Sequence, residues 1–178
     1  MKRIWLLGLV LVLVMGPSSV AWARPVSTFE VKLDVSGSGG WMGYVVVAAD
    51  ETGVANVDVS LSRMGSVSCP GGGAGFAVES ITYRGVAFGT FAVERKLASL
   101  QYSAPVAATY TVIDGCGGTS TTTTTGVTLT VDTVATGDLQ RGRVGDTRVL
   151  SRLSQVTLGA GPFTGVGGGS VSEVISRG

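Results

Sequence analysis

Apolar and polar residues alternate over long stretches of this chain, and that alternation constrains its fold more than any other feature. In the segment "FEVKLDVSG" (residues 29–37) every second side chain is apolar, and most of those between are charged. The apolar side chains are Phe29, Val31, Leu33 and Val35. A period of two residues is typical of a β-strand with one buried face. The alternation recurs in residues 54–64, whereas residues 41–50 are more uniformly apolar, as in a strand with neighbours on both sides.

Segments with strand character continue along the chain about every ten residues, with turn residues between them. The later ones span residues 76–85, 86–94, 97–105, 108–115 and 126–134. The chain is rich in valine, threonine and glycine, with 28 glycines in 178 residues, and this composition favours strands and turns over helices. We therefore predict an all-β fold, an antiparallel β-sandwich.

One segment has a competing helical pattern. In "TFAVERKLASL", residues 90–100, a threonine can cap a helix and three apolar residues fall at helical spacing. We interpret it as strand, turn and strand, with the turn at residues 94–96, because the strand pattern on both sides runs into it.

The N-terminus carries an export signal. Two basic residues precede an apolar run over residues 4–15, and Ala21 and Ala23 occupy the −3 and −1 positions that a signal peptidase reads. We predict that residues 1–23 are a signal peptide. The apolar run is shorter than the roughly 20 residues that a membrane-spanning helix needs, so we expect no membrane span after cleavage. The mature protein is expected to be secreted or periplasmic, with the cell surface as one destination.

The chain contains two cysteines, Cys69 and Cys116, and both lie in the part that would be exported. An even number of cysteines in an oxidising compartment predicts pairing. Neither the CxxC spacing nor the basic neighbour of a reactive thiol is present. We therefore predict one structural disulfide between them.

Residues 100–131, "LQYSAPVAATYTVIDGCGGTSTTTTTGVTLTV", combine a tyrosine strand that ends near a proline, a Tyr-Thr-Val-x-Asp-Gly strand, a glycine turn and a Thr/Val strand. The segment resembles the end of bacterial immunoglobulin-like and cadherin-like repeats, and "FAVESITYRGVAFGTFAVE" resembles the preceding hairpin, so the likeness spans roughly residues 76–131. The matching residues are Tyr102, Pro105, Tyr110, Val112, Asp114, Gly115, Gly117, Gly118, Val127, Leu129 and Val131. This resemblance implies an exported, antiparallel β-sandwich of the immunoglobulin-like kind with additional strands, and an adhesive or structural role.

Three parts are therefore expected in the chain: the signal peptide 1–23, a β-sandwich domain over 24–131, and an extension over 132–178. The extension is predicted to supply one or two extra strands around residues 149–158. Its glycine-rich end, from residue 159, is predicted to be a flexible tail.

Catalysis is the function that the composition restricts most, because the chain has no histidine. Ser-His-Asp and Cys-His nucleophilic systems are excluded, and the commonest metal ligand is absent. A disulfide would consume both thiols. The acidic residues are scattered singly except for one adjacent pair, so no carboxylate pair can be nominated for glycoside hydrolysis. We expect a protein that is not an enzyme, with no catalytic residues and no cofactor.

Calcium is the remaining chemical option, because extracellular modules bind it through loop carboxylates. The weak candidates are Asp50 and Glu51 in one turn and Asp114 in another. No loop has the dense acidic spacing of a dedicated site. We therefore expect no metal centre and favour the interpretation that these acids cap backbone amides of their own turns.

The threonine run 121–125 has two interpretations. Threonine arrays on flat β-faces can bind ice or sugars, but such faces repeat the spacing on stacked strands, and this run occurs once. We interpret it as a soluble edge strand with β-branched residues on both faces.

Two classes of function remain. In the first, the protein is an exported structural or adhesive module that contacts an extracellular or periplasmic protein partner through its strand edges or its extension. In the second, it is a lectin-like sandwich that binds a glycan by stacking on Trp41, Tyr44 and Tyr83. Trp41 also fits a core position, since a tryptophan beside valine-rich strands is usually buried. Residues 24–178 carry eleven basic and twelve acidic side chains, so no nucleic-acid partner is implied.

Overall fold

The computed structural model describes residues 25–94, 99–135, 147–159 and 163–177, and this part of the chain is built almost entirely of β-strands. The all-β prediction is confirmed. A single 3-10 turn, Ser38–Gly40, follows the first strand. The strands are β1 Pro25–Gly37, β2 Met42–Asp50, β3 Val54–Ser68, β4 Ala74–Phe88, β5 Thr90–Glu94, β6 Ser99–Asp114, β7 Ser120–Ala135, β8 Thr147–Gly159 and β9 Thr164–Arg177.

The nine strands of the described residues belong to one antiparallel sheet, in the order β4-β3-β2-β1-β9-β8-β7-β6-β5. β4 also pairs with β6, so the sheet closes on itself. The two packed sheets of an immunoglobulin-like sandwich are not confirmed, because these strands form a single continuous sheet. The difference arises from two pairings that join distant parts of the chain, β1 with β9 and β4 with β6.

The inside of the closed sheet is the hydrophobic core. The apolar face predicted for β1 points inward, and each of its four side chains is at most 4% exposed: Phe29, Val31, Leu33 and Val35. Similar alternating sets point inward from β2, β3, β6 and β7. The ring that excludes β5 has eight strands, and a closed sheet of that size is just wide enough for side chains to fill it. The largest buried side chains are Trp41, Tyr102, Phe29 and Phe163.

The glycine-rich end of the chain is part of this core. We expected a flexible tail from residue 159, but Thr164–Arg177 forms β9, which pairs with β1 on one side and β8 on the other. The reason is steric, because a Cβ added at Gly169 would lie 2.0 Å from the Lys32 carbonyl oxygen, and one at Gly165 would lie 2.6 Å from the Phe163 ring. The glycines let β9 approach β1 and leave room for Phe163, so residues 147–159 and 164–177 belong to the same sheet as strands β1 to β7.

Two further strand predictions are confirmed. β8 covers the extra strand expected around residues 149–158. β5 and β6 occupy the segment that had a competing helical pattern, and they pair with each other from Thr90 opposite Ser103 to Glu94 opposite Ser99. Most of the predicted turn lies in residues 95–98, outside the described part of the chain, as does the predicted signal peptide.

Candidate functional site

Four strands, β3, β4, β6 and β7, continue past the last residues that pair with β2 and β8, and the β4–β6 pairing that closes the sheet lies among them. The pairing of β3 with β2 ends at Ser62, which lies opposite Met42. The pairing of β7 with β8 ends at Thr128, which lies opposite Gly159. Beyond these points β3, β4, β6 and β7 pair only with one another, in that order. We call this four-stranded extension the arm; it comprises residues 63–68, 74–82, 109–114 and 120–127. Among the described residues no strand pairs with the outer side of β3 or of β7 in the arm, and we call these two sides its open edges.

A disulfide joins the two hairpin loops at the tip of the arm. Cys69 follows β3 and Cys116 follows β6, and their Cα atoms are 5.2 Å apart, as the cysteine count predicted. The bond lies against Gly75 of β4, where an added Cβ would be 2.7 Å from the Cys69 sulfur and 2.9 Å from the Cys116 sulfur. The bridge therefore fixes the β3–β4 hairpin relative to the β6–β7 hairpin.

A polar cluster lies at the base of the arm, on the face that continues the inner side of the sheet. The Arg63 guanidinium donates two hydrogen bonds to Glu79, of 2.8 and 2.9 Å, and the Tyr110 hydroxyl donates a third. The same guanidinium lies 4.9 Å from the ring centroid of buried Trp41. The hydrogen bonds from Arg63 lower the pKa of Glu79, and the bond from Tyr110 adds to this against the opposing effect of burial. The cluster holds three arm strands in register over the core.

Replacing Glu79 with glutamine is expected to lower the free energy of unfolding at neutral pH by about 1–2 kcal/mol, because charge-assisted bonds from Arg63 are lost. Folding lowers this pKa, so the contribution is complete above the ordinary glutamate pKa of about 4.3 and is lost as the pH falls through the lowered value. Urea unfolding at neutral pH and at about pH 2 should therefore show a difference only at neutral pH.

Glu30→Gln is the matched control for that measurement. Glu30 also pairs with a cation, Lys32 at 2.7 Å, but the lysine side chain is 60% exposed. An exposed pair of this kind is worth less than about 1 kcal/mol. Equal effects of the two substitutions at neutral pH would contradict the role given to Glu79.

The β7 edge of the arm is rich in threonine and exposed to solvent. Ser120 to Thr124 are all exposed, on both faces, and residues 115–131 contain no charged side chain. Within the described part of the chain, β7 has a strand neighbour only on the β6 side from Ser120 to Val127. The interpretation of residues 121–125 as an edge strand is confirmed.

The outer face of the arm carries a row of apolar side chains. Met64, Val78 and Ile113 lie directly opposite one another on β3, β4 and β6. Met64 is 70% exposed and Ile113 is 46% exposed, and Phe76, two residues from Val78 on the same face, is 66% exposed. Grouped exposed apolar side chains are typical of a surface that contacts another molecule.

The three aromatic residues proposed for glycan stacking lie in different environments. Trp41 is 1% exposed, so it is a core residue and cannot serve as a stacking plate. Tyr44 is 39% exposed, and it lines a shallow surface groove together with Tyr83, Asp58 and Arg84. The Arg84 guanidinium bonds Asp58 in this groove. The structure therefore brings Tyr44 and Tyr83 together in one groove, and it excludes Trp41 as a residue that could stack on a glycan.

The calcium candidates lie at opposite ends of the sheet. Asp50 accepts hydrogen bonds from the amide of Thr52 at 2.8 Å and of Val54 at 3.3 Å. Asp114 accepts one from the Cys116 amide at 2.8 Å. Both carboxylates therefore cap their own turns, as the alternative interpretation predicted, and Glu51 is an exposed neighbour of Asp50. Within the described residues no group of three or more His, Cys, Asp or Glu side chains is placed to hold a metal ion.

No protein-family model, curated protein or solved structure matches this chain. None of the described helical segments is long and apolar enough to cross a membrane. The features that bear on function are therefore the arm, with its two open edges and its apolar row, and the groove beside Tyr44.

Proposed function

We propose that this chain is an exported, non-enzymatic structural or adhesive protein that binds other proteins through the open β7 edge of the arm. The observation that carries the proposal is that residues 120–127 carry no charge, that Ser120 to Thr124 are exposed, and that among the described residues this stretch pairs only with β6. An unpaired strand edge presents a row of N–H and C=O groups that can pair with a strand of another chain. The leader-like residues 1–23 and the disulfide support a destination outside the cytoplasm.

In the part of the chain that the structure describes, the β7 edge lacks the usual devices that prevent strand addition. Natural edge strands are protected by lysine, proline, bulges or a covering segment. Residues 120–127 contain neither lysine nor proline, and the register with β6 runs without a bulge from Val127 opposite Val106 to Ser120 opposite Ile113. The disulfide and the Arg63–Glu79 pair hold this edge in place, so little ordering is needed when a partner strand binds.

A site-specific cross-linking experiment tests the proposal. A photo-reactive amino acid at position 124, on the open edge, is expected to capture a protein neighbour when the protein is expressed with its own leader. The same amino acid at position 32, on the closed part of the sheet, is expected to capture none. Capture from position 124 should be lost with Thr122→Pro and retained with Thr122→Val, since only proline removes a backbone donor. Equal capture from positions 124 and 32, or none from either, would contradict an edge-directed contact.

The groove beside Tyr44 supports a second candidate, a glycan-binding role. Its support is that Tyr44 and Tyr83 line one groove with the polar pair Asp58 and Arg84, which matches a sugar site built from an aromatic plate and hydrogen-bonding groups. A glycan screen with Tyr44→Ala decides this candidate. Binding that is lost in this variant while the protein stays folded favours the groove, and binding that is unchanged rejects it.

A further inference from the structure

We propose that the occupant of the β7 edge is a second copy of this chain, paired antiparallel with the first across a two-fold axis at Thr123. This inference rests on the proposed function, because it names the partner of the same edge. It makes the two arms into one continuous sheet through residues 120–126 of each copy.

The first step is the direction of the backbone groups. The Asp114 amide donates to the Thr119 carbonyl at 2.8 Å, so this opposed pair is a hydrogen-bonded pair of the β6–β7 ladder. The register is constant from there to the closed sheet, and hydrogen-bonded and non-hydrogen-bonded pairs alternate along an antiparallel ladder. The backbone N–H and C=O groups of residues 121, 123 and 125 therefore form hydrogen bonds with β6. The N–H and C=O groups of Ser120, Thr122, Thr124 and Gly126 point to the open edge.

The second step is that this edge is complementary to itself. With the axis at Thr123, Thr122 of one copy lies opposite Thr124 of the other, and Ser120 lies opposite Gly126. All four positions have their backbone groups directed at the partner, which gives about eight new backbone hydrogen bonds. Threonine lies opposite threonine at the centre of the pairing, a favourable cross-strand combination. Because residues 115–131 carry no charge, no like charges meet across the axis.

The third step is the choice of β7 over the other open edge. The 3-10 turn Ser38–Gly40 lies beside β3, where a Cβ added at Gly39 would be 3.2 Å from the Arg63 guanidinium. Residues 63–68, "RMGSVS", do not form a self-complementary run and begin with a charged side chain. Pairing of β7 with β7 is isologous and closes as a dimer, whereas pairing of β7 with β3 would build a ring or an open polymer of more than two copies.

The oligomeric state of the purified protein, measured by sedimentation over a range of concentrations, tests the inference. We expect a dimer whose dissociation constant rises on the order of tenfold or more in Thr124→Pro, because proline removes an edge donor from each copy and leaves the bonds to β6 intact. Thr124→Val keeps the backbone donor and should dimerise like the parent. A protein that is monomeric at all concentrations, or a dimer unaffected by Thr124→Pro, would overturn the inference.

Disulfide cross-linking tests the same pairing if Thr124→Pro fails to fold. Thr123→Cys places two thiols at a non-hydrogen-bonded position on the axis, where opposed Cα atoms approach to about 4.5 Å. A disulfide-linked dimer is expected from this variant and not from Lys32→Cys. Cross-linking of both variants alike would overturn the inference.

The same data separate this inference from the proposed function. A monomer that still captures a different protein from position 124 overturns self-pairing and leaves the edge-directed function standing. A monomer that captures nothing overturns both. Species larger than a dimer point to β7–β3 pairing and overturn the two-fold arrangement.

Discussion

Replacing both Cys69 and Cys116 with serine is expected to lower the free energy of unfolding by about 4 kcal/mol. The bridge closes a loop with a sequence separation of 47, and removing it returns that loop-closure entropy to the unfolded chain. For a chain of this size the loss corresponds to a fall in Tm of about 8–16 °C. Thermal unfolding followed by circular dichroism measures it.

Reductant provides the internal control for this experiment. Treating the parent protein with a thiol reductant should lower its Tm towards that of the double-serine protein, whose own Tm should not respond. A shift of less than about 2 °C on removing the cysteines would mean that the strand pairing alone holds the arm together. Hydrogen exchange of the double-serine protein locates the effect. We expect the amides at the tips of the β3–β4 and β6–β7 hairpins to lose protection before those of the rest of the sheet.

Gly169→Ala is expected to destabilise the protein by about 3 kcal/mol, at the upper end of overpacking effects. A Cβ at this position would lie 2.0 Å from the Lys32 carbonyl oxygen and 2.9 Å from the Leu33 Cα, and backbone atoms cannot move aside as a flexible side chain can. β9 would have to separate from β1, which weakens the ladder between two neighbouring strands of the closed sheet. Chemical denaturation of the parent and the variant gives the difference.

Gly73→Ala is the matched control. Nothing lies within 4 Å of a Cβ added at Gly73, and its backbone is not in the left-handed region. The same substitution there should change stability by less than about 0.5 kcal/mol, as at an ordinary surface site. If both variants were equally stable, the close approach of β9 to β1 would be incorrect.

The strands of this fold were predictable where a two-residue pattern marks a buried face. Residues 29–37 show why, because one parity is apolar and every member of that set is buried. β9 could not be predicted in this way, since glycine in a sequence indicates flexibility, and only the neighbouring strand shows that Gly165 and Gly169 are needed for close packing. The closed sheet was equally inaccessible, because it depends on the pairing of distant segments.

The candidate site was predictable in part for the same reasons. The cysteine pair follows from count and compartment, and the exposed edge follows from the threonine run 121–125. The Arg63–Glu79–Tyr110 cluster was missed because it depends on cross-strand register. A signal was nevertheless present: Arg63 and Glu79 stand two residues from Leu61 and Ile81, so alternation alone places two charged side chains on the inner face.

The pairing of β1 with β9 has a consequence for export. Pro25 lies opposite Arg177, so if the protein is exported as we propose, β1 emerges early and cannot pair with β9 until almost all of the chain has followed. Until then β1 and β8 each expose an unpaired edge, and contacts between such distant segments form slowly. In the proposed export, the interval before β9 arrives is therefore when the protein is most prone to aggregation, and a chaperone that covers open strand edges would act in that interval.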